Sequence, residues 1–291
     1  MSDYVAAPAR LGETELSDGR QLGWAEWGPA DGVPVLLSPG AATSRWLGLG
    51  GKAPESLGVR LVSVDRPGLG ASTPNPGRTF SDFAEDIRRF VELQGWERPA
   101  MVGNSQGTPF ALACAESGVI GALAVVSGAD EVAAPEFAET LPPGLAGLIE
   151  RVRDDPDGAR ALFEGFSADA MWDMVMAASP ESDLAVYQEP GFAAAYRRAL
   201  DEAFAQGTAG YATDTVLAMG RWPIDLSAIT VPVDLWYGEQ DSSHSPDLGA
   251  TLASRIPGAR RHVVADIGGG VLWTHTEEIL GTLLERQVSG R

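Results

Sequence analysis

Apolar positions along this chain recur with two periods that alternate. "TELSDGRQLGWAEWG" (14–28) reads as two strands around Asp18-Gly19, a dipeptide suited to a tight hairpin turn. "VPVLLSPG" (33–40), "VRLVSVDRPGLG" (59–70), "AMVGN" (100–104), "GALAVVSG" (121–128) and "VPVDLWYG" (231–238) are short apolar runs bounded by turns, the form of buried parallel strands. "RRHVV" (260–264) continues the series. Between these runs the period lengthens to that of a helix. In "FSDFAEDIRRFVELQGW" (80–96), Phe83, Ile87, Phe90, Val91 and Leu93 form one apolar face, and Ser81 is a candidate N-cap. "QGTPFALACAESG" (106–118) and the closing "EEILGTLLERQ" (277–287) are further helices. Strand and helix in alternation predict an α/β fold, a mostly parallel, doubly wound sheet covered on both faces. The rhythm stops between about Glu131 and Ile229, where only helical periodicity is found. We therefore expect a core built from residues 1–130 and 226–291 and an inserted helical cap at 131–225.

Composition narrows the class. The chain has 291 residues, 44% hydrophobic and 21% charged, and a net charge of −19. Nucleic acid and anionic membrane surfaces are poor partners for such a chain, because phosphate binding needs a basic face. Cys114 is the only cysteine, so no intrachain disulfide can form. "MSDYVAAPARLG" has no basic region followed by an apolar run, so it does not read as a secretory signal. No stretch approaches the roughly 20 apolar residues of a membrane span. The expectation is a soluble, cytoplasmic protein.

The strongest chemical motif is "VGNSQG". Gly103-Asn104-Ser105-Gln106-Gly107 fits G-x-S-x-G, with an apolar strand before it and a helix after it. A sharp turn there would lift Ser105 above the sheet as a nucleophile, and small flanking residues would let the backbone pass close to the helix. The amide of Gln106 could then donate to an oxyanion at the helix N-terminus.

With this elbow the chain resembles the α/β-hydrolase superfamily, in particular its cap-bearing esterases, lactonases and peptidases. Three further segments carry the resemblance. "LLSPGAATSRW" stands at the family's oxyanion loop, with Pro39-Gly40 in place of the usual His-Gly. "VDRPGLGAST" (64–73) resembles the Asp-x-x-Gly-x-Gly-x-Ser turn, and "VPVDLWYGEQD" with "LASRIPGAR" (252–260) resembles the strand that carries the acid. The resemblance implies an α/β-hydrolase fold, Ser105 as nucleophile, Asp241 as the acid that orients a histidine, and an oxyanion hole from the amides of Ala41 and Gln106. Glu239 fits the acid position less well, and Asp130 is a second possible acid site. It implies no cofactor and no metal.

The histidine departs from the family pattern. The family's last-strand loop commonly reads Gly-x-Gly-His, seven to nine residues before the acidic pair of the closing helix. In "DIGGGVLWTHTEEIL" that count lands on Gly268 or Gly269. The chain has three histidines, His244, His262 and His275, and all follow Asp241. His262 alternates with apolar neighbours and reads as an outward strand residue. His244 lies three residues past Asp241 on the same strand-end loop, and His275 opens the closing helix. His244 and His275 stay open as catalytic bases, as does the absence of any base.

The insertion is rich in Met and aromatic residues, with Met171, Trp172, Met174 and Met176 close together and Phe163, Phe166, Tyr187, Phe192, Tyr196, Phe204 and Trp222 around them. Some hold the helices together, and others would line a pocket for an apolar small molecule. Arg45 beside Trp46 reads as a surface arginine. The functional expectation is a cofactor-free serine hydrolase of a small, rather apolar ester, lactone or amide. The rivals are a lyase or cyclase on the same scaffold and a catalytically inactive binding protein.

Overall fold

The computed structural model describes residues 4–289. Residues 1–3, the start of the segment read above as no secretory signal, lie outside them. Eight strands form one sheet in the order β1-β2-β4-β3-β5-β6-β7-β8. β1 (Arg10–Glu15) and β2 (Gln21–Trp27) form the expected hairpin, with Gly19 at φ 84° in its turn. β2 runs antiparallel to β4 (Val59–Val64). From there β3 (Val33–Ser38), β5 (Ala100–Ser105), β6 (Ala122–Gly128), β7 (Val233–Gly238) and β8 (Arg260–Val264) run parallel. β5, β6 and β7 are covered on both faces, which is why their sequences are continuous apolar runs. The outer strand β1 alternates between half-buried and exposed positions instead.

Short α1 (Ala53–Ser56) precedes β4. α2 (Phe80–Gln94) and α3 (Thr108–Glu116) pack on one face of the sheet, where Phe110 meets Phe80 and Phe83 edge-on. α2 begins two residues earlier than the Ser81 cap implied. Thr79 is its N-cap: the Thr79 hydroxyl accepts from the Asp82 amide while the Asp82 carboxylate accepts from the Thr79 amide. Leu93 is 61% exposed, contrary to its expected place on the apolar face. At 3.6 residues per turn it stands roughly 120° round the axis from Ile87, beyond the edge of the buried stripe.

Between β6 and β7 the chain forms six α-helices among the described residues: α4 (Pro143–Asp154), α5 (Pro156–Phe163), α6 (Ala168–Ala178), α7 (Glu181–Tyr187), α8 (Pro190–Ala203) and α9 (Ala209–Met219). Proline opens α4, α5 and α8, where its missing N–H is no loss. Phe163, Met171, Leu200 and Tyr211 form an apolar cluster of the insertion that also takes in Ala42 and Leu69 of the core. The chain then completes the sheet, with α10 (Ala250–Arg255) on the α2–α3 side and α11 (Val271–Thr274) and α12 (Thr276–Ser289) on the other. Among the described residues no helix is long and apolar enough to cross a membrane.

Candidate active site

β5 ends in a bulge at Asn104/Ser105, and Ser105 takes φ 48°, a left-handed conformation that costs a non-glycine residue on the order of 1–2 kcal/mol. The turn is held by its neighbours. The Gly107 amide donates to Asn104 O at 2.7 Å, the Ala129 amide donates to Ser105 O at 2.9 Å, and the Asn104 side-chain amide donates to Val126 O at 2.9 Å. The glycines around the serine are there for room. A Cβ on Gly107 would lie 2.1 Å from Ser38 O, and one on Gly103 would lie 2.8 Å from the Ala111 methyl.

The loop after β3 passes over this turn. A Cβ on Gly40 would stand 3.3 Å from Ser105 Cβ. Ala41 lines the same cavity as Ser105 and Gln106. The Ala41 and Gln106 amides have no acceptor among the described residues, so both are free to donate to a ligand. Pro39, which replaces the expected His, contributes only its carbonyl.

Asp241 lies three residues past the end of β7 and is 5% exposed. Its carboxylate turns the chain back on itself, accepting from the Ser243 amide at 3.1 Å and the His244 amide at 3.3 Å. This brings the His244 ring round, so that Nδ1 lies 2.9 Å from each Asp241 oxygen. With Nδ1–H donating to the carboxylate, Nε2 is the unprotonated nitrogen, and it has no partner among the described residues. Burial works against the charged ring, but the Asp241 carboxylate, with a smaller contribution from Asp183, holds the His244 pKa above its ordinary value. Burial opposes ionisation of Asp241 too, yet the His244 ring and the loop amides hold that carboxyl below the usual range. Asp130, the second acid considered, does not touch the ring. It accepts from Ser245 Oγ at 2.8 Å and donates its amide to His244 O at 3.0 Å, so it fixes the backbone of the histidine loop. Burial pushes the Asp130 carboxyl up to about 6. Glu239 is exposed.

The other histidines stand elsewhere. His275 ends α11, pairs through Nδ1 with Thr274 Oγ1 at 2.9 Å and does not line the cavity. His262 stacks on Trp236 and meets Asp234 at 2.8 Å across β7 and β8.

The triple glycine has a geometry that sequence reading did not foresee. The amides of Gly268, Gly269 and Gly270 all donate to the Asp183 carboxylate of α7, at 3.0, 2.7 and 3.1 Å. None of the three has a positive φ, so their need for glycine is steric. A Cβ on Gly269 would lie 2.9 Å from His244 Cε1, and one on Gly268 would lie 2.5 Å from an Asp183 oxygen. The His244 ring occupies the space that a side chain at 269 would fill. Burial raises the Asp183 carboxyl above the ordinary aspartate range, although three amides favour its charged form. The only sequence signal for Asp183 was an acid in the first turn of a helix, which many helices carry.

These groups open into one cavity of about 610 Å³. Ser105, Gln106, Ala41, Asp241 and His244 lie at its floor, and the insertion supplies the walls. Phe163, Phe166, Met171, Met174, Tyr187 and Tyr196 line it, joined by Leu145, Leu148, Leu162, Val175 and Met219. Trp172, Met176, Phe192, Phe204 and Trp222 do not; they pack between helices or against the core. The lining contains no lysine or arginine. Arg45 is no surface residue: it is 8% exposed, bonded to Gly12 O and paired with Asp65 and Glu202. Among the described residues no three His, Cys, Asp or Glu gather as a metal site.

The comparisons agree with this architecture. The family described as alpha/beta hydrolase fold matches residues 33–276. A proline iminopeptidase of Neisseria meningitidis is 30% identical over 122 residues, covering 39% of this chain and 37% of that protein. A non-heme chloroperoxidase of Streptomyces lividans is 28% identical over 148 residues, 46% of this chain and 50% of that one. The chain thus spans half or less of the length of either relative. Among solved structures, the enol-lactonase of Burkholderia xenovorans superposes with a TM-score of 0.68 at 20% identity, covering 95% of this chain and 100% of that chain. An esterase of Thermogutta terrifontis gives 0.67 at 22%, covering 97% and 99%. With a family match over most of its length and the sheet order, elbow and strand-end loops described above, the chain belongs to the alpha/beta hydrolase fold family.

Proposed function

We propose that this protein is a serine hydrolase in which His244 takes the place of the histidine missing from the loop after β8. Ser105 Oγ attacks an acyl carbonyl. His244 Nε2 accepts the hydroxyl proton and returns it to the leaving group, and water then releases the acyl-enzyme by the same route. Asp241 holds the ring by Nδ1 and offsets the imidazolium charge. The Ala41 and Gln106 amides bind the oxyanion. The observation that carries the proposal is the pairing of His244 Nδ1 with Asp241 in the cavity that also holds the strained Ser105. No step calls for a cofactor.

Residues 131–225 serve as a cap over a core of 1–130 and 226–291. The aliphatic and Met-rich walls favour an apolar acyl group, and a lining that carries Asp130, Asp183 and Asp241 but no lysine or arginine disfavours an anionic one. The substrate class is therefore a neutral, rather apolar ester, lactone or amide. A fluorophosphonate probe and a series of p-nitrophenyl esters test this together. Stoichiometric labelling that Ser105→Ala abolishes, with turnover lost at an unchanged melting temperature, is the expected result. Ester turnover without labelling, or turnover that survives Ser105→Ala, would sink the nucleophile assignment, and silence in both assays would favour a lyase, a cyclase or a binding protein.

A further inference from the structure

Arg66 is the fully buried arginine of the turn after β4. Its guanidinium is spent on three partners. Nε meets Asp214 of α9 at 2.6 Å, Nη1 donates to Pro39 O at 2.5 Å, and Nη2 donates to Gly40 O at 2.9 Å. Asp214 is itself fully buried and also paired with Arg78, which in turn donates to Gly210 O at 2.7 Å. Two cations thus share one carboxylate beneath the loop after β3.

The Gly40 carbonyl belongs to the same peptide plane as the Ala41 amide. In a trans peptide the C=O and N–H point in opposite directions. A cation bound to Gly40 O therefore turns the Ala41 N–H away from Arg66, toward the cavity that Ala41 lines and Arg66 does not. The cation also draws electron density from the amide, which makes its N–H a stronger donor. The loop needs such a hold, because the next residue, Ala42, has φ 48° and no side chain able to fix it.

We propose that Arg66 is the positioning residue of the oxyanion hole, and that Asp214 makes the helical insertion part of it. The inference rests on the serine-hydrolase reading. Without a charged group behind it, the Ala41 amide loses both its direction and part of its strength as a donor. An insertion displaced at α9 would release Arg66, so oxyanion stabilisation depends on the insertion being seated.

The experiment compares Arg66→Met, Arg66→Ala and the nearly isosteric Asp214→Asn with the wild type on a p-nitrophenyl ester, all rates being normalised to folded protein. Loss of roughly 100-fold in kcat for the Arg66 variants, with KM little changed, is expected from a misplaced oxyanion donor. The fluorophosphonate labelling rate should fall in parallel, and Asp214→Asn should show a smaller loss of the same kind. Millimolar guanidinium should restore Arg66→Ala, whereas urea, of the same shape but neutral, should not. A lowered melting temperature with kcat unchanged in both Asp214→Asn and Arg66→Met would overturn the proposal and leave a structural ion pair. Rescue by urea as strong as by guanidinium would overturn the role of the charge. Failure of the wild type to label, or labelling that survives Ser105→Ala, would instead defeat the serine reading itself.

Discussion

At the scale of the residue, the decisive position is 269. A glycine there does not mark a lost histidine so much as a vacancy that another histidine fills. Gly269→Ala places a methyl group 2.9 Å from His244 Cε1, so the ring must move off Asp241 or the loop must yield. We expect kcat to fall at least roughly tenfold, since misplacement of a reacting group by a fraction of an ångström is costly. Stability should change little, because Gly269 needs no left-handed backbone. Kinetics beside a thermal melt would check this, and an unaffected kcat would remove His244 from the mechanism. The pH profile offers a second check. In the proposed mechanism His244 acts when neutral, and Asp241 and Asp183 raise its pKa. The acid limb of kcat/KM should therefore lie above the ordinary histidine value of about 6.5. Asp241→Asn removes the larger attraction and should move that limb to lower pH while lowering kcat. Asp183→Asn should move it less. His275→Ala should leave the profile as it is.

At the scale of the element, α7 is tied to the loop after β8 by one carboxylate and three amides. Charge-assisted hydrogen bonds of this kind are worth more than neutral ones, and here they join the insertion to the core close to His244. Asp183→Ala should cost about 3 kcal/mol of stability, because it leaves buried donors without a partner. The more specific readout is hydrogen exchange. Protection of the 268–270 amides should collapse while that of β5 and β6 persists, since the change opens the region locally. Unaltered exchange at those amides would mean that the α7 contact contributes nothing to the closed arrangement.

At the scale of the whole molecule, the proposed catalysis and the stability should respond to pH in opposite directions. Burial holds Asp65 up at about 7 and Asp130 at about 6, and His244 is raised by its carboxylate neighbours. Each of these groups binds its proton more tightly folded than unfolded. Its contribution is complete below the unfolded pKa and is lost as pH rises through the folded one. The net charge of −19 adds self-repulsion in the same direction. The melting temperature should thus fall between about pH 5 and pH 8, over the range where the proposed mechanism expects neutral His244 to raise activity. Asp130→Asn should flatten the part of the fall near pH 6. A melting temperature that climbs over this interval would contradict the burial argument for both aspartates.

Much of the architecture was legible in the chain itself. The hairpin, the buried strands, the turn at Ser105 and the run of helices between β6 and β7 all follow from local period and turn chemistry, which neighbouring residues alone specify. The boundary of α2 was read two residues late because a capping box is a pairing of side chains and not a periodicity. The site beyond Ser105 and Asp241 was less accessible. His244, on the loop after Asp241, and His275, at the start of the closing helix, both stayed open as bases, and only the fold showed which one meets Asp241. Asp183 finds its glycines 85 to 87 positions along the chain, and Arg66 finds Asp214 at a separation of 148. No local pattern encodes contacts of that range. They exist because the sheet order and the return of the insertion bring those segments together, and only then does an ordinary acid, arginine or glycine acquire its chemical setting.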